Sequence, residues 1–410
     1  MSATTPGSLV PRDRPGGHLR ELEGLRALAA LAVLVTHAAF LSGATGRDLL
    51  PGFLARLDVG VAIFFVLSGF LLYGPHARRL VDGTPPATTR AYAVRRAARL
   101  VPAWLLVLAG TVVLVPESRS GHGDAWLANL LQVQSLRLEW DVPGLAQLWS
   151  LSTEVMFYAV LPATAALLLR LVGGRGPRAH LAALLVLAAG TWGFRVVVGV
   201  GLLPDGWSWL RTLPAVADWF VVGMVLAVVV ADDRLRVPVS AVVRAAPWHL
   251  YGLAACVYWV VATRAAGPYD LAPPTAVEAG VKHLGFTLVA GLVVAPSVLG
   301  ARTAVSRVLS SRVLVYGGTI SYGVFLWHLP LMFRVRQVLG LDVFEWGFWV
   351  TVLLTLAVSV VVAALSWHLV EAPVQAWARH RTASERAARR PGPTAAPGAG
   401  ERDEEQRQHA

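Results

Sequence analysis

Ten apolar stretches divide this chain, at residues 21–42, 57–74, 100–116, 149–170, 181–201, 213–231, 249–264, 280–300, 314–335 and 347–370. Each has roughly the 17–25 residues that a helix needs to cross a hydrocarbon core about 30 Å thick. In that solvent every backbone N–H and C=O has to be satisfied inside the protein, so the stretches are expected as helices of one closed bundle. The chain's chemistry leaves little alternative. Of 410 residues, 55% are hydrophobic and only 15% are charged, whereas a soluble domain keeps its surface wet with about a quarter charged. The predicted fold class is all-α, a polytopic transmembrane bundle of about ten spans. The third and seventh stretches are the shortest, and Pro102 stands near the start of the third.

Arginine placement sets the direction of threading. The tails and loops 75–99, 170–180, 232–248 and 301–313 hold the dense set, including Arg78, Arg79, Arg90, Arg95, Arg96, Arg99, Arg175, Arg178, Arg234, Arg244, Arg302 and Arg307. The opposite loops hold few: Arg47, Arg56, Arg119, Arg137, Arg211, Arg264, Arg334 and Arg336. The dense side is cytoplasmic on this reading, both termini lie inside, and the inner (plasma) membrane is the expected location. Residues 1–18 and 378–410 read as disordered cytoplasmic tails flanking a membrane domain over 19–377. The outer loop 117–148, with Trp126, Trp140 and Pro143, is expected along the interface. No cleavable leader is expected before the first span, because no short apolar core with a small-residue cleavage site precedes it.

The formal net charge is +11, yet the arginines are scattered through short loops instead of forming one basic face with stacking aromatics, which argues against a nucleic-acid partner. The single cysteine, Cys256, lies in an apolar run and reads as a small buried hydrophobe. No internal repeat marks the two matched halves of a transporter.

An ionisable side chain inside a span costs about 2.5–3.5 kcal/mol on insertion scales, so each such residue is a candidate for function. Arg26 and His37 are eleven residues apart in the first span. Eleven steps of about 100° return both to one helix face, about 16 Å apart along the axis. Arg26 lies toward the cytoplasm and His37 toward the outer side. Ser150, Glu154 and Tyr158 form an i, i+4, i+8 stripe on the fourth span, and Ser321, Phe325 and His328 form one on the ninth. His37, Glu154 and His328 thus share one depth, while Arg26, Arg96, Arg99 and Glu371 gather at the inner side. Each residue also has a structural reading, as an interhelical hydrogen bonder, ion-pair partner or topology signal. Coincidence of depth favours function. Asp218, Arg195, Lys282 and His283 sit near outer span ends and read as interfacial or ion-paired.

These residues fall in an order similar to that of a known family. Arg26-x10-His37 within LEGLRALAALAVLVTHAAF, FFVLSGF at 64–70, Arg96 and Arg99 within RRAARLVPAW, NLLQVQ at 129–134, LWSLSTEVMFY at 148–158, SYGVFLWHLPL at 321–331 and LVEAP at 369–373 resemble the signature elements of the membrane acyltransferase 3 family. The resemblance covers about 19–377. One departure is Val155, where many members carry a second acidic residue. No esterase-like extracytoplasmic domain is seen after the tenth span, so onward passage of the acyl group is not expected of this chain by itself.

The resemblance implies an O-acyltransferase that moves an acyl group, commonly acetyl, from cytoplasmic acyl-CoA to a hydroxyl of a cell-envelope saccharide, a glycolipid or a secreted small molecule. Acyl-CoA is then a co-substrate; no permanently bound cofactor and no metal is expected. Arg26, Arg96 and Arg99 are the candidates for holding its phosphates, since guanidinium forks match phosphate oxygens. His37 is the candidate general base or covalent relay, with Glu154 fixing its tautomer. His328, Ser321, Tyr158 and Glu371 complete the expected site. The competing reading is a proton-coupled transporter or flippase, since buried His, Glu and Arg also build proton relays.

Overall fold

The computed structural model of the chain describes residues 15–46, 52–120, 123–203, 206–269 and 272–388. Among them there is no strand. The helices are α1 (Pro15–Leu41), α2 (Val59–Asp82), α3 (Thr89–Leu114), α4 (Gly123–Leu131), α5 (Leu148–Val172), α6 (Gly176–Gly199), α7 (Gly206–Trp209) and α8 (Leu213–Ala231). They continue with α9 (Asp233–Ala245), α10 (Pro247–Val261), α11 (Ala276–Val298), α12 (Ala304–Leu309), α13 (Arg312–Val338), α14 (Phe348–Ser366) and α15 (Ala372–Ala388).

Seven helical segments among the described residues are long and apolar enough to cross a membrane, and the 52-residue segment Leu148–Gly199 contains both α5 and α6. Apolar side chains such as Leu185, Val186 and Val196 on α6 and Leu353, Val361 and Leu365 on α14 stand exposed. That is the surface a bilayer accepts and water does not. Two of the expected stretches, α10 and α13, are not among the seven. With 15 residues, α10 extends only about 22 Å. The 27 residues of α13 are long enough, but it is the inner helix of the bundle. Its Ser321 and His328 are fully buried, so polar residues replace part of the apolar face that a lipid-facing helix needs.

The arginine-bearing segment 75–99 is not a loop. α2 runs on through Pro75 to Asp82, where Gly83 ends it at φ +75°, and α3 begins at Thr89 with the Thr88 side chain accepting from Ala91 N–H. Helical hydrogen bonding does not stop at the edge of the hydrocarbon, so Arg95, Arg96 and Arg99 stand on a helix with fixed directions. The tail is also more ordered than expected. α15 stays helical to Ala388, and it docks on α3 through buried Ala378 and Thr382, the latter accepting from Arg95 at 3.3 Å. Residues 1–14 and 389–410 of the expected tails lie outside the described residues, while 15–18 already belong to α1.

Packing places α1, α2 and α13 at the centre. α1 lies against α2 and α13, α13 also against α3 and α14, and α2 against α8 and α11. Small residues set the closest approach, as they do between helices in lipid. A Cβ on Gly223 of α8 would overlap the carbonyl oxygen of Val66 on α2, and one on Gly69 would overlap that of Phe220. The Phe65 and Phe220 rings stack beside this contact with centroids 4.4 Å apart.

Candidate active site

Five helices line a cavity of about 260 Å³, to which α1 brings Arg26, α2 Ser68, α3 Arg96 and Arg99, α5 Ser150, Glu154 and Tyr158, and α13 Tyr322 and Phe325. The expected inner arginines and the α5 stripe therefore meet around one space. Glu154 organises its polar wall. One carboxylate oxygen accepts from Ser68 Oγ at 2.6 Å and from Tyr158 Oη at 2.5 Å. The Tyr158 ring in turn lies under the Arg96 guanidinium, 5.7 Å from ring centroid to Cζ, a cation–π contact. Arg26 pairs one turn back with Glu23 at 3.6 Å and stands within electrostatic range of Arg99 and Glu154.

Pro102 has no N–H, which breaks the ladder of α3 near the cavity wall. Close to that break, Tyr322 Oη donates to the Leu100 carbonyl at 3.0 Å and ties α13 to α3. Glu371 is buried in a π-turn, Trp367–Glu371, where it accepts from Ser366 Oγ at 2.8 Å and faces the field of Arg99. It does not line the cavity.

The expected pairing of His37 with Glu154 is not formed. α1 packs on α2 and α13, whereas α5 packs on α2, α6 and α8, so the neighbour of His37 is His328. The ring centroids are 5.0 Å apart with a tilt of 42°, and His328 Nε2 lies 3.2 Å from His37 Nδ1. Backbone carbonyls decide the protons. His328 Nδ1 is 2.6 Å from the Phe325 oxygen and His37 Nδ1 is 2.8 Å from the Val33 oxygen. A carbonyl only accepts, so each Nδ1 carries the hydrogen. The lone pair of His328 Nε2 then faces the Nδ1–H of His37. His37 Nε2 keeps its own lone pair, and no hydrogen bond among the described residues engages it.

The histidine pair sits one aromatic layer behind the cavity. Phe64 and Phe325 line the space and meet edge to face at 5.8 Å, and the Phe325 ring is 5.8 Å from that of His328. Ser321, the first residue of the expected α13 stripe, turns back on its own helix and donates to the Gly318 carbonyl at 2.7 Å; it does not join the site.

Three contributors went unseen in the sequence. Asp58, just before α2, is the carboxylate in electrostatic range of His37; Lys282 holds one of its oxygens at 2.6 Å, and the other is buried without a hydrogen-bond partner among the described residues. Ser68 stands within FFVLSGF but has no partner visible in one dimension. Gln147, the residue before α5, donates from Nε2 to the Leu326 carbonyl at 2.8 Å, two residues ahead of His328. The ion-paired reading of the outer residues is met by His283, whose Nε2 lies 2.8 Å from Asp218, and by the Lys282–Asp58 pair.

The chain is similar to several known proteins. It is 26% identical over 385 residues to the peptidoglycan O-acetyltransferase OatA of Listeria monocytogenes, covering 87% of this chain and 56% of that protein. It is 29% identical over 386 residues to the putative peptidoglycan O-acetyltransferase YrhL of Bacillus subtilis, covering 86% and 54% respectively. A putative O-acetyltransferase of Staphylococcus aureus is 24% identical over 382 residues. The chain thus spans about half the length of the curated relatives it matches. No solved structure matches it. The sequence model of the family described as an acyltransferase domain aligns with residues 19–368, which covers most of the chain and all five helices that line the cavity. The protein belongs to the acyltransferase 3 family.

Proposed function

We propose that this protein is a membrane O-acyltransferase that moves an acyl group, acetyl first among them, from cytoplasmic acyl-CoA to a hydroxyl of a cell-envelope saccharide. It would cross the plasma membrane ten times with both termini inside, as the arginine bias requires. The names of the relatives support a peptidoglycan-type acceptor. The observation that carries the reading is the Nε2 lone pair of His37, unengaged among the described residues and aligned by two carbonyls and His328 one aromatic layer from an arginine-lined cavity.

In the reaction, His37 Nε2 takes the proton of the acceptor hydroxyl as its oxygen attacks the thioester carbonyl carbon. The new C–O bond forms, the C–S bond breaks, and the leaving thiolate receives the proton from the imidazolium. Asp58 stabilises that transient cation. Arg26, Arg96 and Arg99 hold the donor, and Glu154 keeps the Ser68 and Tyr158 hydroxyls in place while offsetting part of the arginine charge. Glu154 therefore supports the donor cavity in this scheme instead of orienting His37.

Membranes carrying the wild type or His37→Ala, supplied with radiolabelled acetyl-CoA, test the reading. Label should enter the saccharide fraction with the wild type and fall by about 10²- to 10⁴-fold with the variant, the usual contribution of a general base. Equal labelling by the two proteins overturns it.

A further inference from the structure

A second cavity of about 400 Å³ adjoins the first, and it has a different character. Its wall comes from the C-terminal end of α2, the N-terminal end of α3, the later turns of α5 and the segment between α2 and α3 that contains Pro85 and Pro86. His76, Arg79, Arg95 and Arg96 line it, and among the described residues no carboxylate does. The inner cavity, by contrast, offsets its arginines with Glu154. Leu71, Leu72 and Arg96 belong to both walls, so the two spaces meet at a boundary, the throat, that is apolar on α2 and carries Arg96.

The helices give the corridor its length and its order. Along α2, Val61 to Leu72 line the inner cavity and Leu71 to Arg79 the second one; along α5, Ser150 to Tyr158 precede Pro162 to Leu169. Val61 to Arg79 extends about 27 Å at about 1.5 Å per residue. A ligand that fills this corridor is elongated, carries its negative charge at the far end, passes a slender middle through the throat and presents a neutral group to the inner cavity.

We propose that the phosphate-bearing nucleotide end of the acyl-CoA donor docks in this second cavity against Arg79 and Arg95, with Arg96 at the throat, so that Arg26 and Arg99 face the thioester instead of the phosphates. This rests on the acyl-CoA reading above and divides the donor between two chambers. The chemistry fits the division. The wall's charged side chains, Arg79, Arg95 and Arg96, match phosphate oxygens, and guanidinium forks bind them through paired hydrogen bonds. Arg26 and Arg99 line the inner cavity beyond the throat, on the thioester side, where positive groups counter the negative charge that develops as the thioester reacts.

Titration calorimetry on the purified full-length protein tests the assignment without an acceptor, with coenzyme A and pantetheine as probes. Arg79 is exposed at the mouth of the second cavity, so its replacement leaves the fold intact. Arg79→Ala should weaken coenzyme A at least tenfold while shifting pantetheine less than twofold, and Arg79→Lys should recover part of the loss. Arg26→Gln should shift coenzyme A less than threefold. The inverse pattern, coenzyme A weakened by Arg26→Gln and indifferent to Arg79→Ala, overturns the subsite and leaves the acyl-CoA reading standing. A wild type that binds neither probe overturns both.

Discussion

The tautomer of His37 is set by atoms that carry no charge. The carbonyls of Val33 and Phe325 place the Nδ1 hydrogens, and His328 supplies the acceptor that keeps the His37 ring from turning. His328 is fully buried and does not line the cavity, so in the proposed reaction it acts through His37, as a positioning residue. His328→Ala removes that acceptor and leaves the His37 Nδ1–H with Val33 alone. A buried hydrogen-bond partner is worth about 1–3 kcal/mol, or roughly a 5- to 150-fold change in rate. The expected loss is of that size and confined to kcat, with KM for acetyl-CoA little altered and with partial rescue by His328→Asn, which restores an acceptor. An equal rise in KM would show that the pair shapes the donor site instead. Asp58 has a comparable remote role. It offers a partly exposed carboxylate in electrostatic range of the ring, with one oxygen buried and without a hydrogen-bond partner among the described residues, and its charge is offset by Lys282 and by nearby Arg56.

At the scale of helices, the site depends on how closely α2 can lie against its neighbours. Ser68 reaches Glu154 at 2.6 Å because α2 is drawn against α8 at Gly69 and Gly223, where backbone meets backbone. A methyl group at Gly223 meets the Val66 carbonyl oxygen and the Phe70 nitrogen, and backbone atoms have nowhere to move. Gly223→Ala is expected to cost about 1–3 kcal/mol by overpacking. Its signature is a lowered thermal midpoint by size-exclusion of the detergent-solubilised protein, together with reduced acyl transfer. An unchanged midpoint would mean that α2 and α8 slide apart without loss. The π-turn at Trp367–Glu371 is a second device of this scale. An extra residue in one turn re-aims Glu371 inward toward Ser366 and Arg99, and such turns recur at functional sites.

For the whole molecule, the decisive property is direction across the bilayer. The corridor described above opens where α2 ends and α3 begins, on the arginine-rich side. A cytoplasmic donor therefore requires that side to be inside. The chain's one cysteine, Cys256, makes this accessible to labelling. In a Cys256→Ala background, Glu139→Cys should react with a membrane-impermeant maleimide in intact cells, and Arg175→Cys only after permeabilisation. Both side chains are exposed. Reversed labelling would place the donor cavity outside and refute the cytoplasmic donor.

Much of this protein is written in one dimension. Apolar length determines helices in lipid because no other backbone arrangement satisfies its own hydrogen bonds there, and a helix covers each of the ten stretches that composition marks. Helical periodicity was enough to bring Ser150, Glu154 and Tyr158 onto one stripe and to align Arg26 with His37. The sequence could not choose partners between helices. Depth put His37, Glu154 and His328 at one level, but level is not contact: α13 adjoins α1 and α5 does not, so His328 faces His37 while Glu154 turns to Ser68 and Tyr158. On α13 periodicity placed Phe325 at the cavity but missed Tyr322, which reaches it while the expected Ser321 turns back on its own helix. The helical segment at 89–99 fixed the directions of Arg95, Arg96 and Arg99, which no loop would have done. Those choices belong to the tertiary structure because they follow from which small residues let which backbones approach, a property of pairs of helices and of no single stretch.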